Sequence, residues 1–101
     1  MSRIDQLEAL LAKEPDDAFL NFGLAMELAK AQRFEESLAR FDRVISLDPN
    51  YVAACFHKGK TQLAMGEIDA AKETLRAGIR QAGSCGEGHA AAEMQELLDS
   101  L

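Results

Sequence analysis

The chain has 101 residues, of which 48% are hydrophobic, and this composition excludes a disordered polar segment. The length suffices for one core but not for a core and a separate substrate-binding lobe. Seventeen acidic and eleven basic residues give a net charge of −6, which repels phosphate backbones and anionic lipids. We therefore expect neither nucleic acid nor a membrane as a partner.

The first residues, MSRIDQLEALL, lack the apolar segment and the cleavage site of a secretion signal. No apolar run approaches the roughly 20 residues that a membrane span needs. We therefore expect a cytoplasmic protein. Cys55 and Cys85 are expected to be free thiols, because a helical chain without an export signal rarely carries a disulfide.

Apolar residues recur at spacings of three and four along the chain and predict helices, whereas no strand pattern is present. Ser2 and Asp5 form a predicted capping pair for the first helix, which ends before Pro15. Asp16 and Asp17 offer side-chain oxygens and negative charge to the start of the second helix.

The remaining helix boundaries follow from local signals. The second helix is predicted to end near Ala31, and the third to run from about Phe34 to Leu47, before Pro49. The fourth is capped by Asn50 and ends near Met65, where Gly66 follows. The fifth covers about Ile68 to Gln81, and a glycine-rich loop from Gly83 to Gly88 leads into a last helix that ends at Leu101.

The stretch of residues 16–49 contains two of these helices joined by a short turn, and several of its residues recur about 34 positions away. The recurring pairs are Pro15 and Pro49, Phe34 and Ile68, Ser37 and Ala71, Phe41 and Leu75, and Leu7 and Phe41. The first helix therefore matches the second half of a unit. Gly23 and Gly59 miss the period by two residues, which predicts a longer helix or a looser turn near Lys30 and Ala31.

The pattern Phe19-x-x-Phe22-Gly23-x-x-Met26, followed by Ser37-x-x-x-Phe41 and Pro49, resembles the tetratricopeptide repeat signature, with Phe, Phe and Met where that family prefers Trp, Leu and Tyr. The resemblance implies an all-α fold, a superhelical stack of about six antiparallel helices. Its expected parts are a half-repeat helix (1–15), two repeats (16–49 and 50–83) and a C-terminal capping helix (84–101).

The second helix has two apolar sides. At about 100° per residue, one arc contains Ala18, Phe19, Phe22, Ala25, Met26 and Ala29, and we assign it to the core. Leu20, Leu24 and Leu28, here called the leucine stripe, lie nearly opposite. In the tetratricopeptide family the first helix of each unit lines the concave face, where peptides dock. The resemblance therefore implies a partner-binding set of Leu20, Asn21, Leu24, Glu27, Leu28, Phe56, His57, Lys60 and Leu63.

Three interpretations of the leucine stripe remain open. A neighbouring helix of the same chain covers it, another protein binds it, or two copies of the chain associate through it. With Lys60 as its only basic residue, the expected groove cannot clamp the carboxylates of an acidic tail. We therefore expect an apolar or mixed peptide or protein partner, with a homodimer as an alternative.

The last segment, from Ser84 onward, carries four acidic residues and neither Lys nor Arg. We interpret its acidic side as the solvated face of a closing helix, with a basic partner as the alternative.

Two thiols and two imidazoles, those of Cys55, His57, Cys85 and His89, form a nominal zinc set. Residues 55 and 57 point about 200° apart on a helix, so they cannot share one metal ion. No pairing typical of nucleophilic catalysis and no phosphate-binding loop is present. We therefore expect a protein-interaction scaffold, with no enzymatic activity and no cofactor. The alternatives are a self-associating structural subunit and a metal- or thiol-based regulatory protein.

Overall fold

The computed structural model describes residues 2–101, which form six α-helices and no β-strand. The helices are α1 (Arg3–Lys13), α2 (Ala18–Lys30), α3 (Phe34–Leu47), α4 (Val52–Ala64), α5 (Ile68–Ser84) and α6 (Gly88–Asp99). The predicted all-α fold is confirmed.

Several helix ends follow the predicted local signals. The Ser2 hydroxyl accepts a hydrogen bond from the Asp5 N–H at 3.1 Å, and the Asp5 carboxylate accepts one from the Ser2 N–H at 3.4 Å. Asp17 caps α2 by accepting from the Leu20 N–H at 2.8 Å. Gly66, which follows α4, has a φ of +80°, a conformation that favours glycine at a helix end.

Two predicted boundaries are wrong. Asn50 does not cap α4, because the helix starts at Val52 and the Asn50 amide oxygen instead accepts from Nε2 of Gln81 at 2.6 Å. The fifth helix continues through Gly83 to Ser84, so the boundary between the second repeat and the capping helix falls in its last turn. The glycine there does not have a positive φ and continues the helix.

The repeat keeps a constant length. Helix α2 begins at Ala18 and α4 at Val52, a step of 34 residues. Helices α3 and α5 begin at Phe34 and Ile68, which is the same step. The longer helix or looser turn expected after α2 is therefore wrong.

The counterpart of Gly59 is Ala25 and not Gly23. Both Ala25 and Gly59 are buried where the two helices of a hairpin cross. The Ser37 hydroxyl donates to the Ala25 carbonyl oxygen at 2.7 Å, and a Cβ on Gly59 would lie 3.0 Å from the Leu75 side chain. Matching Gly23 to Gly59 therefore displaced the expected pattern of the first repeat by two residues.

The helices form two layers. Each helix packs against the next one in the chain, and in addition α2 approaches α4, and α4 approaches α6. Across residues 2–101, no Cα atoms of α1, α3 and α5 come within 8 Å of one another. The inner layer of α2, α4 and α6 is thus closer together than the outer layer, and the stack curves with these three helices on its concave side.

Three apolar clusters within the described residues hold the helices together. The first joins α1 to α2 through Leu7, Leu11, Leu24 and Leu28. The second joins α2, α3 and α4 through Ala25, Phe41, Val44 and Ala54. The third joins α4, α5 and α6 through Val52, Cys55, Leu75, Ala82 and Met94.

The leucine stripe is covered by the chain's own first helix. Leu24 and Leu28 are 3% and 4% exposed, and Leu20 packs against the same cluster. Cover by the same chain is therefore confirmed, and binding or self-association through this stripe is wrong. The opposite arc is not all core either, because Phe19 is 71% exposed. Phe19 belongs to none of the three apolar clusters, although Ala18 and Phe22 beside it pack against the second.

Truncating Leu24 and Phe19 separately tests this orientation of α2. We expect Leu24→Ala to lower the free energy of unfolding by about 2–5 kcal/mol, because it leaves a cavity between α1 and α2. Phe19→Ala should change it by less than about 0.5 kcal/mol, because the ring lies in solvent. Urea unfolding followed by circular dichroism measures both values, and similar losses in the two variants would contradict the assignment.

Helices α4, α5 and α6 meet at Gly78. A Cβ at this position would lie 2.6 Å from the Met94 sulfur and 2.8 Å from Cβ of Cys55. Because the second atom is fixed to the α4 backbone, a side chain at residue 78 would push the helices apart. Gly83 lies on the same helix, but a Cβ there would meet no atom within 4 Å.

The two glycines of α5 give a matched pair of substitutions. Gly78→Ala should lower the free energy of unfolding by about 1–3 kcal/mol through overpacking. Gly83→Ala should raise it by about 0.5–1 kcal/mol, because alanine restricts the unfolded chain and fits a helix. Thermal unfolding monitored by calorimetry measures both effects, and a stabilised Gly78→Ala variant would show that the three helices are not in close contact.

Candidate functional site

The predicted site residues on α4 lie on the concave side of the stack. Phe56, His57 and Lys60 each line a cavity there, and Leu63 follows on the same side of the helix, partly buried. We call the exposed side of α2, α4 and α6 the inner surface.

Asn21 has a structural role and was wrongly predicted to contact a partner. It is fully buried, and its Nδ2 donates to the carbonyl oxygens of Pro15 at 3.1 Å and Asp17 at 2.9 Å. Its Oδ1 accepts from Nη1 of Arg40 at 3.0 Å. The amide thus ties α2 to the preceding turn and to α3.

The other predicted residues of α2 do not form an open groove. Leu24 and Leu28 are buried, and Leu20 packs against the α1 cluster, as described above. Glu27 keeps 27% of its side chain exposed, and its carboxylate lies 3.7 Å from Nζ of Lys30. Of the α2 residues predicted to bind a partner, Asn21, Leu24 and Leu28 are buried, so the prediction is wrong for these three.

The α2 residues on the inner surface are those one repeat before the α4 set. Subtracting 34 from Phe56 and Lys60 gives Phe22 and Met26. Both are partly buried, and both pack against the second apolar cluster with one side turned away from it. Phe19, one turn before Phe22, is the most exposed large apolar side chain among the described residues.

A row of rings crosses from α2 to α4. The ring centroids of Phe22 and His57 are 5.7 Å apart at an interplanar angle of 69°, and those of His57 and Phe56 are 5.9 Å apart. Behind the row, the Phe22 ring contacts Phe41 edge-on at 6.0 Å, which fixes it against the core. Burial, and secondarily the charge of Lys60, lower the pKa of His57, so this imidazole is neutral at neutral pH.

The α2/α4 cavity lies on one side of this row and has a volume of about 290 Å³. Its apolar lining comes from Met26, Ala29, Phe34 and Ala64, and its polar lining from Lys30, His57, Lys60 and Thr61. The sequence analysis did not predict that α2 contributes Met26, Ala29 and Lys30 to this cavity.

The α4/α6 cavity has a volume of about 320 Å³ and is lined by Phe56, Glu93, Glu96, Leu97 and Ser100. It adjoins the α2/α4 cavity, because Nζ of Lys60 lies 4.2 Å from the centroid of the Phe56 ring. This distance is that of a cation–π contact. The two glutamates were expected on a solvated face, and the curvature of the stack turns them toward the inner surface.

The cysteines and histidines do not assemble around one point. Cys55 is buried in the third cluster, where burial raises the pKa of its thiol, and it is a free cysteine like the partly buried Cys85. His89 is exposed and contacts Glu93 at 2.9 Å. Within residues 2–101, no group of three or more His, Cys, Asp or Glu side chains is placed to hold a metal ion. In the same range, no helix combines the length and apolarity needed to cross a membrane.

Known proteins share this sequence pattern. The family model described as tetratricopeptide repeat matches residues 28–94. A TPR repeat-containing protein of Pseudomonas aeruginosa is 33% identical over 98 residues, which cover 97% of this chain and 93% of the relative.

Solved structures share the architecture. The TPR2B domain of yeast Sti1, in its complex with pHsp70, superposes with a TM-score of 0.87 at 30% identity, over 94% of this chain and 76% of that chain. A protein of Bordetella parapertussis, solved in solution, gives a TM-score of 0.86 at 28% identity, over 99% of this chain and 87% of the other. Such domains generally mediate protein–protein interaction, and their fold is typical of non-enzymatic scaffolds. With its constant 34-residue step, its two-layered curved stack and these relatives, the chain belongs to the tetratricopeptide repeat family.

Proposed function

We propose that this protein is a non-enzymatic interaction module that binds a peptide or protein segment on its inner surface. The observation that carries the proposal is the row of aromatic side chains on α2 and α4, of which Phe19 is exposed and the others are partly exposed. Phe19 is 71% exposed at its edge, and Phe22, His57 and Phe56 continue it between the two cavities. Exposed aromatic side chains next to concave apolar surface are typical of binding sites.

The energetics of the surface support this proposal. Aromatic side chains bury about 150–250 Å² each and dominate the affinity of many interfaces. The rings of Phe22 and Phe56 are already held by neighbours, Phe41 on one side and Lys60 on the other. A surface that is ordered before binding loses little conformational entropy in the complex.

The cytoplasmic location is also a proposal. It is supported by Cys55 and Cys85, which are both free thiols and therefore suit a reducing compartment. Cell fractionation followed by immunoblotting tests it, and recovery of the protein in a membrane or secreted fraction would refute it.

Two exposed apolar side chains on different sides of the stack allow a controlled binding test. Phe19→Glu places a charge at the edge of the aromatic row, whereas Leu10→Glu changes a residue of α1 that is 46% exposed and outside the inner surface. We expect the first to weaken partner binding about tenfold or more and the second to leave it unchanged.

The partner for this test is first captured with the wild-type protein and identified by mass spectrometry. Isothermal titration calorimetry with the purified partner then gives the dissociation constants of the three proteins. Both variants should keep the wild-type melting temperature within a few degrees. A partner that binds Phe19→Glu as tightly as wild type, but not Leu10→Glu, would place the interface on the outer layer and refute the proposal.

A further inference from the structure

The two cavities of the inner surface carry opposite charges. At the α2/α4 cavity stand Lys30, whose side chain is 72% exposed, and the exposed Lys60. At the α4/α6 cavity stand the exposed Glu93 and Glu96. A ligand that crosses the inner layer from α2 to α6 therefore passes from positive to negative charge.

These charges remain available to a ligand. No carboxylate lies within 4.0 Å of the Lys60 ammonium, and no cation within 4.0 Å of Glu96, among the described residues. Lys30 has Glu27 at 3.7 Å, but such an exposed pair is weak and exchanges readily. Glu93 is compensated only when His89, its neighbour on the same helix, is protonated.

Two nearby groups do not add to this pattern. Lys58, on the same helix as Lys60, has its Nζ 2.7 Å from the Asp42 carboxylate of α3 and is therefore neutralised on the outer side. His57 is neutral at neutral pH for the reason given above. The positive end of the surface thus consists of the two lysines.

Both cavities also have an apolar lining. Met26, Ala29 and Phe34 line the α2/α4 cavity, and Phe56 and Leu97 line the other. The two cavities meet where the Lys60 ammonium lies over the Phe56 ring, 4.2 Å from its centroid. A segment that fits both cavities needs apolar side chains between its charged groups.

We infer that the partner of this surface is a protein segment with mixed charge, which places an acidic group over Lys30 and Lys60, apolar side chains along the aromatic row, and a basic group over Glu93 and Glu96. This inference rests on the proposed function and specifies its ligand. A wholly acidic segment would meet the glutamates at one end, and a wholly basic one would meet the lysines at the other.

A library of random twelve-residue peptides displayed on phage tests the inference, with the full chain as the immobilised target. We expect the enriched peptides to contain Asp or Glu and Lys or Arg on opposite sides of apolar residues. The most enriched peptide is then synthesised, and its dissociation constant is measured by fluorescence anisotropy. Its affinity should fall at least tenfold between 50 and 500 mM salt, because two exposed charge contacts are screened.

Charge-reversal variants locate the contacts. The double variants Lys30→Glu/Lys60→Glu and Glu93→Lys/Glu96→Lys should each weaken this peptide at least tenfold. The first should gain affinity for a peptide whose acidic residues are replaced by lysine. The matched control is Arg76→Glu/Arg80→Glu, which reverses two exposed charges of α5 and should change the affinity less than twofold. Circular dichroism confirms that each variant is folded, and the salt titration of the wild type gives an answer independent of them.

The contrary outcomes are distinct. Two results would refute the inferred charge pattern while the proposed function stands. The enriched peptides are purely apolar, or their affinity changes neither with salt nor in the Lys30/Lys60 and Glu93/Glu96 double variants. No enrichment over uncoated beads would refute both. Light scattering is used to detect a dimer. A dimer that dissociates in the Lys30/Lys60 or the Glu93/Glu96 double variant would show that a second copy of the chain occupies the inner surface, and it would refute a partner of another sequence.

Discussion

The close contact within each hairpin is the constraint on which the rest of the structure depends. The Ser37 hydroxyl reaches the Ala25 carbonyl oxygen at 2.7 Å, and Gly59 meets Leu75 at the equivalent place one repeat later. These contacts fix the rotation of α2 and α4 about their axes. With Ala25 turned to α3, Leu24 is turned to α1 and Phe22 to the concave side. A shift of two residues rotates a helix by about 200° and would exchange these sides.

Much of the fold could be predicted because its signals are local. The third helix, Phe34–Leu47, begins and ends where its apolar spacing and the following proline indicate, and the caps at Ser2 and Asp17 are read from single side chains. The rotation of α2 could not be predicted from spacing alone. This helix is apolar on nearly all sides, so Phe19 and Leu24 fit the same pattern although one is exposed and the other buried.

The site residues were predicted correctly only on the helix whose position within the repeat was assigned correctly. On α4 the register was right, and Phe56, His57 and Lys60 lie where the family resemblance put them. Applying the same 34-residue step backward would have found Phe22 and Met26. The α6 residues of the site could not be predicted, because their position depends on the curvature of the stack, and no local sequence pattern encodes that curvature. Likewise, nothing in the sequence around Asn21 indicates that its amide is buried.

The outer helices touch only their inner neighbours, and this has a mechanical meaning. Because α1, α3 and α5 make no approach within 8 Å to one another, their spacing is not locked by contacts of their own. Instead, α3 packs between α2 and α4 through the second apolar cluster, and α5 packs between α4 and α6 through the third. A flatter or tighter stack would have to displace side chains within these two clusters, so the curvature of the inner surface is set by the buried core.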